Sequence, residues 1–251
     1  MAQIFDIVIC KAKSELKAET TRNYAGFLWW FLEPFMSLLI YFVVFKYILN
    51  IPRDVMALFC GLITFKWFSS SLARSTDDII DGRRIMMQVY LHKSVFPLST
   101  VAVNTFKFSL VLLMTLGIAL IMGRTEPTLA WLSLPIILGL AILLLTGSTF
   151  CVAAITPFLP DMSLIIGTLL QLFMWVSCVF YNLSDLSPRI QTFLKLNPVA
   201  VVINEIRSII LYGNWPVWEV YPLLIAQITI IFALGFWLLN KYNRIYPKMT
   251  F

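Results

Sequence analysis

Charged side chains are scarce in this sequence. Asp, Glu, Lys and Arg make up 13% of its 251 residues, whereas 60% of the residues are hydrophobic. A soluble domain usually carries about a quarter charged residues. The mean hydropathy of +0.85 is correspondingly high. These values exclude an ordinary soluble domain and place the chain among integral membrane proteins.

Several chemical signatures are also missing. No G-x-x-x-x-G-K-[ST] phosphate loop and no G-x-S-x-G nucleophile motif occurs, so neither ATP hydrolysis by that route nor esterase-type catalysis is expected. The one histidine, His92, is expected to be a solvated loop residue. The cysteines have no paired spacing, so they predict neither a metal site nor a disulfide framework: Cys10, Cys60, Cys151 and Cys178. We therefore assign no catalytic residue, metal ligand or cofactor to this chain.

Long apolar runs are what the sequence does have. A helix needs about 20 mostly apolar residues to cross a bilayer. Six runs come near that length: 27–49, 56–74, 98–122, 132–155, 162–181 and 219–240. The sequence thus predicts an all-α integral membrane protein, with six transmembrane helices in a single domain, 1–251. An even number of spans puts both termini on one side of the membrane.

The basic residues indicate which side that is. The N-terminal segment, the second loop and the tail together hold eleven Lys and Arg residues, and the opposite loops hold five. The positive-inside rule therefore predicts that both termini are cytoplasmic. The charged residues behind the net charge of +6 lie mostly in loops. The positive-inside rule explains them there, so a nucleic-acid partner is not expected.

The N-terminal segment, 1–24, is expected to lie in the membrane interface. Residues 4–20 form an amphipathic pattern, with an apolar face opposite Asp6, Lys13 and Lys17. A helix of this kind lies in the plane of the membrane surface. Two interpretations remain open for it, a plain membrane anchor and a platform for a cytoplasmic partner.

The internal loop 75–97 mixes basic and apolar residues, which a purely solvated loop would not need. Flexible methionine-rich surface is typical of protein docking sites. The sequence predicts that this loop couples to another protein through five residues: Arg83, Arg84, Ile85, Met86 and Met87. Contact with the membrane surface is the alternative.

The segment 182–217 is expected to form two short external helices. Ser187 and Asn197 can each cap a helix whose first turn contains a proline. In the second helix, one face is apolar, and the other is predicted to point away from the protein: Asn204, Glu205, Arg207 and Ser208. This hairpin is expected to act either as an external gate or as a passive interfacial belt.

Few ionisable residues fall inside the predicted spans. Lys46 lies near an outer end, where it can extend to the interface. Glu33, Lys66 and Lys107 are costly in lipid, so they are expected to face protein or a water-filled path. Glu33 precedes Pro34 near the inner end of the first span. Its carboxylate is expected either to pin the start of the helix to a neighbour or to act at a substrate gate.

Four short motifs resemble one family, the membrane subunits of bacterial polysaccharide ABC exporters, which export O-antigen, capsule and teichoic acid. They are Gly26-Phe27-Leu28-Trp29 with Leu32-Glu33-Pro34, Gly61-Leu62 with Trp67-Phe68, Val95-Phe96-Pro97, and Asn197-Pro198 with Arg207 downstream. These motifs follow the family's order from about residue 22 to 210. Lys66 departs from the pattern, because the family usually has an uncharged residue there. The coupling loop also lacks the family's usual Asn-Leu-Ile-Lys-like run.

The resemblance implies a homodimer in the bacterial inner membrane, with two copies of a separate ATPase that binds ATP and Mg²⁺. It also implies a lipid-linked polysaccharide substrate. Sugar rings stack on aromatic faces, so an aromatic path suits such a substrate, although interfacial belts explain many aromatic residues. The candidate path or gate residues are Trp29, Trp30, Glu33, Tyr41, Phe173, Trp175, Tyr181, Asn197 and Arg207. The alternatives are an ABC exporter of small molecules or lipids, a stand-alone membrane enzyme and a secondary transporter.

Overall fold

A computed structural model of the chain describes most of its residues. The described ranges are 2–22, 26–48, 54–88, 91–121, 123, 125–159, 161–183, 186–243 and 245–246. Within them, all regular secondary structure is helical. The eleven α-helices are α1 Ala2–Arg22, α2 Trp29–Val43, α3 Val55–Ser75, α4 Asp78–Asp81, α5 Arg83–Gln88, α6 Val95–Ile121, α7 Leu134–Ile155, α8 Met162–Val176, α9 Pro188–Leu194, α10 Pro198–Tyr212 and α11 Tyr221–Tyr242.

Five of the helical segments in the described residues are long and apolar enough to cross a membrane. They are Gly26–Val43, Val55–Ser75, Val95–Ile121, Leu129–Phe158 and Trp218–Tyr242. The predicted all-α membrane architecture is therefore confirmed. The predicted span at 162–181 corresponds to α8, an apolar helix of only 15 residues, so the count of six stays a prediction.

Helix α3 is the centre of the core. It packs against α6, α7 and α10, and most of its residues are buried. Asp54 starts the helix by accepting a hydrogen bond from the backbone N–H of Met56 at 3.0 Å, the usual way to satisfy a free amide at a helix N-terminus. By contrast, α2 and α8 contain no buried residue. Their surfaces are left for lipid or for another chain.

Glycines allow α7 and α11 to pack closely. A Cβ atom on Gly147 would lie 2.8 Å from the backbone of Phe232, and one on Gly235 would lie 2.6 Å from the carbonyl oxygen of Gly147. Close approach of helix backbones at small residues is typical of membrane bundles. This pair of helices forms the most extensive helix contact in the described structure.

The bundle has two distinct ends, separated by the length of α3, about 30 Å. At the α4–α5 end, the Lys11 ammonium lies 5.5 Å above the Phe96 ring. The Tyr246 hydroxyl donates to the carbonyl of Ala154 at the same end, in a cluster that includes Phe96 and Met86. The first helix and the end of α11 therefore meet the internal loop at one end, and α9 and α10 lie at the other.

The second helix of the predicted external hairpin differs from expectation in its burial. Asn197 caps α10 as predicted, accepting from the backbone N–H groups of Val199 and Ala200. The expectation that Glu205 and Arg207 point away from the protein is wrong, because they are 3% and 2% exposed. The periodicity identified one apolar face, but α10 is inserted among other elements and is buried nearly all round.

Two further expectations need correction. Ser187 precedes α9, but its side chain makes no capping hydrogen bond. His92 is not simply solvated. Its two ring nitrogens lie 2.7 Å from the Ser94 hydroxyl and 2.9 Å from the Asn240 side-chain oxygen. The latter contact connects the internal loop to α11.

Candidate functional site

Two adjoining cavities lie beside α2, at the depth of the apolar helices. The first, about 160 Å³, lies among α2, α3 and α6. The second, about 250 Å³, lies among α2, α3 and α8. Both are lined by Pro34 and Lys66, and we call the two together the groove. Its lining includes Trp30, Glu33, Ser37, Tyr41, Phe65, Lys66, Ser69, Trp67, Asn104, Lys107, Gln171 and Met174.

An ion pair lies where the two cavities meet. The Lys66 ammonium is 2.7 Å from the Glu33 carboxylate, and the two side chains are 46% and 61% exposed. Glu33, Ser37 and Tyr41 are spaced four residues apart, so they share one face of α2. Charged side chains facing hydrocarbon are costly. Pairing neutralises the two charges, but their exposure indicates that this face is not meant for lipid.

A second lysine lies in the wall of the groove. Lys107 forms an ion pair with Glu19 of α1, and its ammonium lies 5.5 Å above the Trp30 ring. Trp30 also makes an edge-to-face contact with Phe106, with ring centroids 6.4 Å apart. These contacts fix the indole at the mouth of the groove nearest α1. As expected from the cost of burying charge, Glu33, Lys66 and Lys107 each face a protein partner.

Aromatic rings gather near the other end of the groove. The Tyr41 and Phe180 ring centroids are 4.8 Å apart, and those of Trp175 and Phe180 are 4.6 Å apart. The Tyr181 hydroxyl donates to the carbonyl of Trp175 at 2.8 Å. Phe173 lies 6.5 Å from Phe65. The structure thus brings three predicted path residues, Tyr41, Trp175 and Tyr181, together around Phe180.

Arg207 lies behind this aromatic cluster, outside the groove. Its guanidinium donates five hydrogen bonds of 2.9 to 3.1 Å to oxygens on α3 and on the turn 178–182: Ala57 O, Cys178 O, Val179 O, Tyr181 O and Asn182 Oδ1. Every N–H donor direction of the guanidinium fork is therefore used within the protein. Arg207 joins α10, α3 and the turn into one unit.

Small residues make room for this arrangement. A Cβ atom on Gly61 would lie 2.5 Å from Arg207 Nη2 and 2.9 Å from the carbonyl of Val179. Cys178 has a φ of 56°, in the left-handed region that non-glycine residues rarely adopt. Asn197 also holds the turn, since its amide donates to Val176 O and Ser177 Oγ at 3.3 Å. Asn197 and Arg207 thus hold the turn that carries Phe180 and Tyr181 of the aromatic cluster.

The other predicted path residues divide between the groove and its surroundings. Trp30, Glu33 and Tyr41 line it, whereas Trp29, 52% exposed, lines neither cavity. Sequence reasoning did not assign Lys66 or Gln171 to the path. The sequence could have indicated Lys66, because it is a charged residue inside a predicted span at the position that departs from the family pattern. Gln171 carried none beyond its polarity.

The predicted coupling residues differ in accessibility. Ile85 and Met87 are 44% and 61% exposed, whereas Met86 is 6% exposed and packs into the chain's own core. The Nε of Arg83 finds no acceptor among the described residues, and the Arg84 side chain lies outside the described part of the chain. Of the predicted coupling residues whose side chains are described, Ile85 and Met87 are therefore the most accessible to a partner.

The same end contains a buried carboxylate. Asp78 Oδ1 accepts a hydrogen bond from the Thr100 hydroxyl at 2.6 Å, and Oδ2 has no partner among the described residues. Burial raises the pKa of Asp78 to about 6. Gly82 lies against the Phe96 ring, with no room for a Cβ atom. These contacts fasten α4 and α5 to the first turns of α6.

Comparison with known proteins identifies the family. The model of the ABC-2 type transporter family matches residues 12–211. The chain belongs to this family. It is 30% identical to the O-antigen export system permease protein RfbA of Myxococcus xanthus, over 90% of this chain and 87% of that protein. It is 23% identical to a protein of the same name from Klebsiella pneumoniae, over 100% and 95% of the two chains. It is 25% identical to the polysialic acid transport protein KpsM of Escherichia coli, over 79% of each.

Membership of the ABC-2 type family makes the chain a membrane component of a transporter. This finding disfavours the alternatives of a stand-alone membrane enzyme and a secondary transporter. The matched region runs from α1 into α10, so it contains the groove, the coupling helices and Arg207. In an ABC-2 type membrane subunit, a polar groove beside an otherwise apolar helix is a candidate surface for the transported molecule.

Proposed function

We propose that this chain is the permease subunit of an ATP-driven exporter that moves lipid-linked polysaccharide, such as O-antigen, outward across the bacterial inner membrane. The observation that carries the proposal is the groove, because it combines aromatic rings, hydroxyl and amide groups and a neutralised ion pair at the depth of the spans. The names of the similar proteins, for O-antigen and polysialic acid, support the same substrate class.

The chemistry of the groove suits a long, repetitive glycan. Aromatic faces such as those of Trp30 and Tyr41 offer stacking surfaces to sugar rings, and Ser37 and Gln171 offer hydrogen bonds. Both lysines in the wall already have carboxylate partners. A path without a free charge binds each sugar weakly, and weak binding allows the chain to move on to the next position.

The groove is open along α2 and α8, and we propose that a second copy of the chain closes it. Neither helix contains a buried residue. If lipid covered this surface, the charged Glu33–Lys66 pair would face hydrocarbon, which is unfavourable in free energy. A homodimer would enclose the pair and create one path between two copies of the groove.

The energy source lies in a separate protein in this proposal. The sequence contains no phosphate-binding loop, so ATP and Mg²⁺ would bind to two copies of a partner ATPase. Ile85 and Met87 would dock to it at the α4–α5 end, which the basic residues assign to the cytoplasm together with both termini.

Neighbouring methionines provide a direct test of the docking surface. Met87→Cys and Met86→Cys, each in an otherwise cysteine-free chain, would be coexpressed with the proposed partner ATPase. We expect cross-linking of the complex through position 87 and little through position 86, because Met87 is 61% exposed and Met86 is 6% exposed. Equal cross-linking at both positions, or none at Met87 or Ile85 in an assembled complex, would contradict the proposed docking surface.

The substrate class needs its own experiment. We expect that deleting the gene abolishes surface polysaccharide, that the intact gene restores it, and that the complex purified without ATP retains a glycolipid detectable by mass spectrometry. Normal surface polysaccharide in the deletion strain would contradict the proposal. A bound small molecule or phospholipid in place of a glycolipid would instead favour an exporter of that class within the same family.

A further inference from the structure

A third cavity, about 340 Å³, lies at the α9–α10 end and shares no lining residue with the groove. It is formed by α9, α10, the turn at 182–183 and the segment after α10. The polar side chains in its lining include four amides, the Glu205 carboxylate, the Tyr212 phenol and two cations, Lys195 and Arg207. The volume lies within the usual range for ligand sites, about 300–1,000 Å³.

Glu205 is the unusual member of this set. It is 3% exposed, and a buried carboxylate is unfavourable unless hydrogen bonds satisfy it. Its Oε2 accepts two long hydrogen bonds, from the Val217 N–H at 3.3 Å and the Tyr221 hydroxyl at 3.4 Å. No described residue donates to Oε1. The Asn204 side chain, also in the wall, makes no hydrogen bond with the described residues. The cavity therefore presents an acceptor and an amide that protein groups leave incompletely used.

The composition of the wall selects among ligand classes. A bound Ca²⁺ would need six to eight oxygen ligands, usually with several carboxylates, and among the described residues that line this cavity Glu205 is the one carboxylate. Two cations also line the cavity, but Arg207 already uses all of its donors within the protein, which leaves Lys195 alone to offset the repulsion between an anion and the Glu205 carboxylate. Sugar hydroxyl groups both donate and accept, so they match a carboxylate surrounded by amides. Tyr212, 51% exposed, adds an aromatic surface at the rim.

The cavity also lies next to the far end of the groove. Arg207 lies between the two sites, donating to Tyr181 O beside the aromatic cluster and to Asn182 Oδ1 in the cavity wall. We propose that the cavity binds one or two sugar rings of the exported glycan after they leave the groove. This inference rests on the proposed function and its orientation, and it adds a second, polar glycan site on the external face.

Binding can be measured on the purified full-length protein in detergent. The probe is a set of oligosaccharides released by mild acid from the surface polysaccharide of the bacterium that encodes this chain. The variants are Asn204→Ala and Glu205→Gln in the cavity, Tyr41→Ala in the groove and Thr192→Ala as a control on the exposed face of α9. Monodisperse elution in size-exclusion chromatography identifies correctly folded variants. If Glu205→Gln does not fold, Asn204→Ala still tests the cavity, because Asn204 is partly exposed and its replacement is easier to tolerate.

We expect Asn204→Ala and Glu205→Gln each to weaken oligosaccharide binding about tenfold, the usual scale for a lost hydrogen bond to a polar or charged group. Thr192→Ala should bind like the wild type, and Tyr41→Ala should retain the part of the binding that Asn204→Ala and Glu205→Gln weaken. Unchanged binding in both folded cavity variants, with loss in Tyr41→Ala, would overturn the inference and leave the proposed export path standing. Absence of binding by the wild type would also overturn it, whereas the deletion strain decides the proposed function independently.

Discussion

Helices α2 and α10 each carry charge in apolar surroundings, but they accommodate it in opposite ways. α2 has no buried residue, and its Glu33 is 61% exposed beside Lys66. In α10, eleven of 15 residues are buried, and Arg207 is 2% exposed with five hydrogen bonds to protein oxygens. The charge in α10 is therefore internal to the fold, whereas the charge in α2 faces outward.

This difference separates two kinds of polar residue in a membrane protein. A guanidinium whose donors are all used by protein oxygens stabilises the arrangement of helices and has no capacity left for a substrate. An exposed ion pair on an apolar helix contributes little stability and needs a protein or water neighbour. Arg207 therefore belongs to the framework of the protein, whereas the Glu33–Lys66 pair lies on the surface that we propose as the path.

The largest effect on the stability of the protein is expected from Arg207→Leu. The change leaves four backbone carbonyls without their donor, in a region with little access to water. We expect the free energy of unfolding to fall by about 3 kcal/mol or more, with loss of folded protein during purification. Arg207→Lys should also be defective, because an ammonium has fewer donors and lacks the planar fork. A stable Arg207→Leu variant that fails to export would instead make Arg207 a gate residue.

Gly61→Ala tests the same framework from α3. The added Cβ would meet Arg207 Nη2 at 2.5 Å and the Val179 carbonyl at 2.9 Å, so we expect a loss of about 1–3 kcal/mol in thermal unfolding. Gly117→Ala is the matched control, because no atom lies within 4 Å of its added Cβ. The control should be neutral or slightly stabilising. Equal stability of the two variants would contradict the packing around Arg207.

Asp78→Asn tests the attachment of the coupling helices through pH. Because burial raises the pKa of Asp78 to about 6, the native state keeps a proton that the unfolded state has released. Its contribution to stability is present at low pH and falls as pH rises from about 4 to about 6. We expect the melting temperature of the wild type to fall relative to that of Asp78→Asn across this window. Parallel pH curves would contradict the burial of the carboxyl group.

The smallest effect on stability is expected at the ion pair of α2. Glu33→Leu and Lys66→Leu each leave one charge unpaired, and we expect the double variant to recover most of the lost yield. The coupling energy should be about 1 kcal/mol or less, while Glu33→Gln should be mild in yield. Purified yield and thermal stability are measured for the wild type, the two Leu variants, their double variant and Glu33→Gln. Additive losses in the double variant would show that the two side chains do not interact.

Apolar length and periodicity predicted most of the helical architecture. The apolar runs that correspond to α3, α6, α7 and α11 were recognisable because a helix must be long and apolar to cross a bilayer. The start of α10 was predictable because Asn197 is a favourable capping residue. Burial of Glu205 and Arg207 was not predictable from periodicity. A helix surrounded by protein can turn polar residues inward if distant backbone oxygens satisfy them, and those oxygens lie 25 to 150 residues away along the chain.

The site was predicted in part for a similar reason. Trp30, Glu33 and Tyr41 lie on one span, so the helix repeat was enough to bring them to a common region. The pairing of Glu33 with Lys66, and of Lys107 with Glu19, depends on how three helices pack. Phe180 became the centre of the aromatic cluster through the turn after α8, which sequence periodicity does not specify.

The most direct test of the groove as an export path is photo-cross-linking in exporting cells. Ser37 lines the groove, whereas Leu39 lies on a different face of α2 and is 48% exposed. Benzoylphenylalanine would replace each residue in turn. We expect irradiation to attach polysaccharide to the chain at position 37, in an amount that depends on an active ATPase, and to attach none at position 39. Equal attachment at both positions, or lipid alone at position 37 during active export, would contradict the assignment of the path.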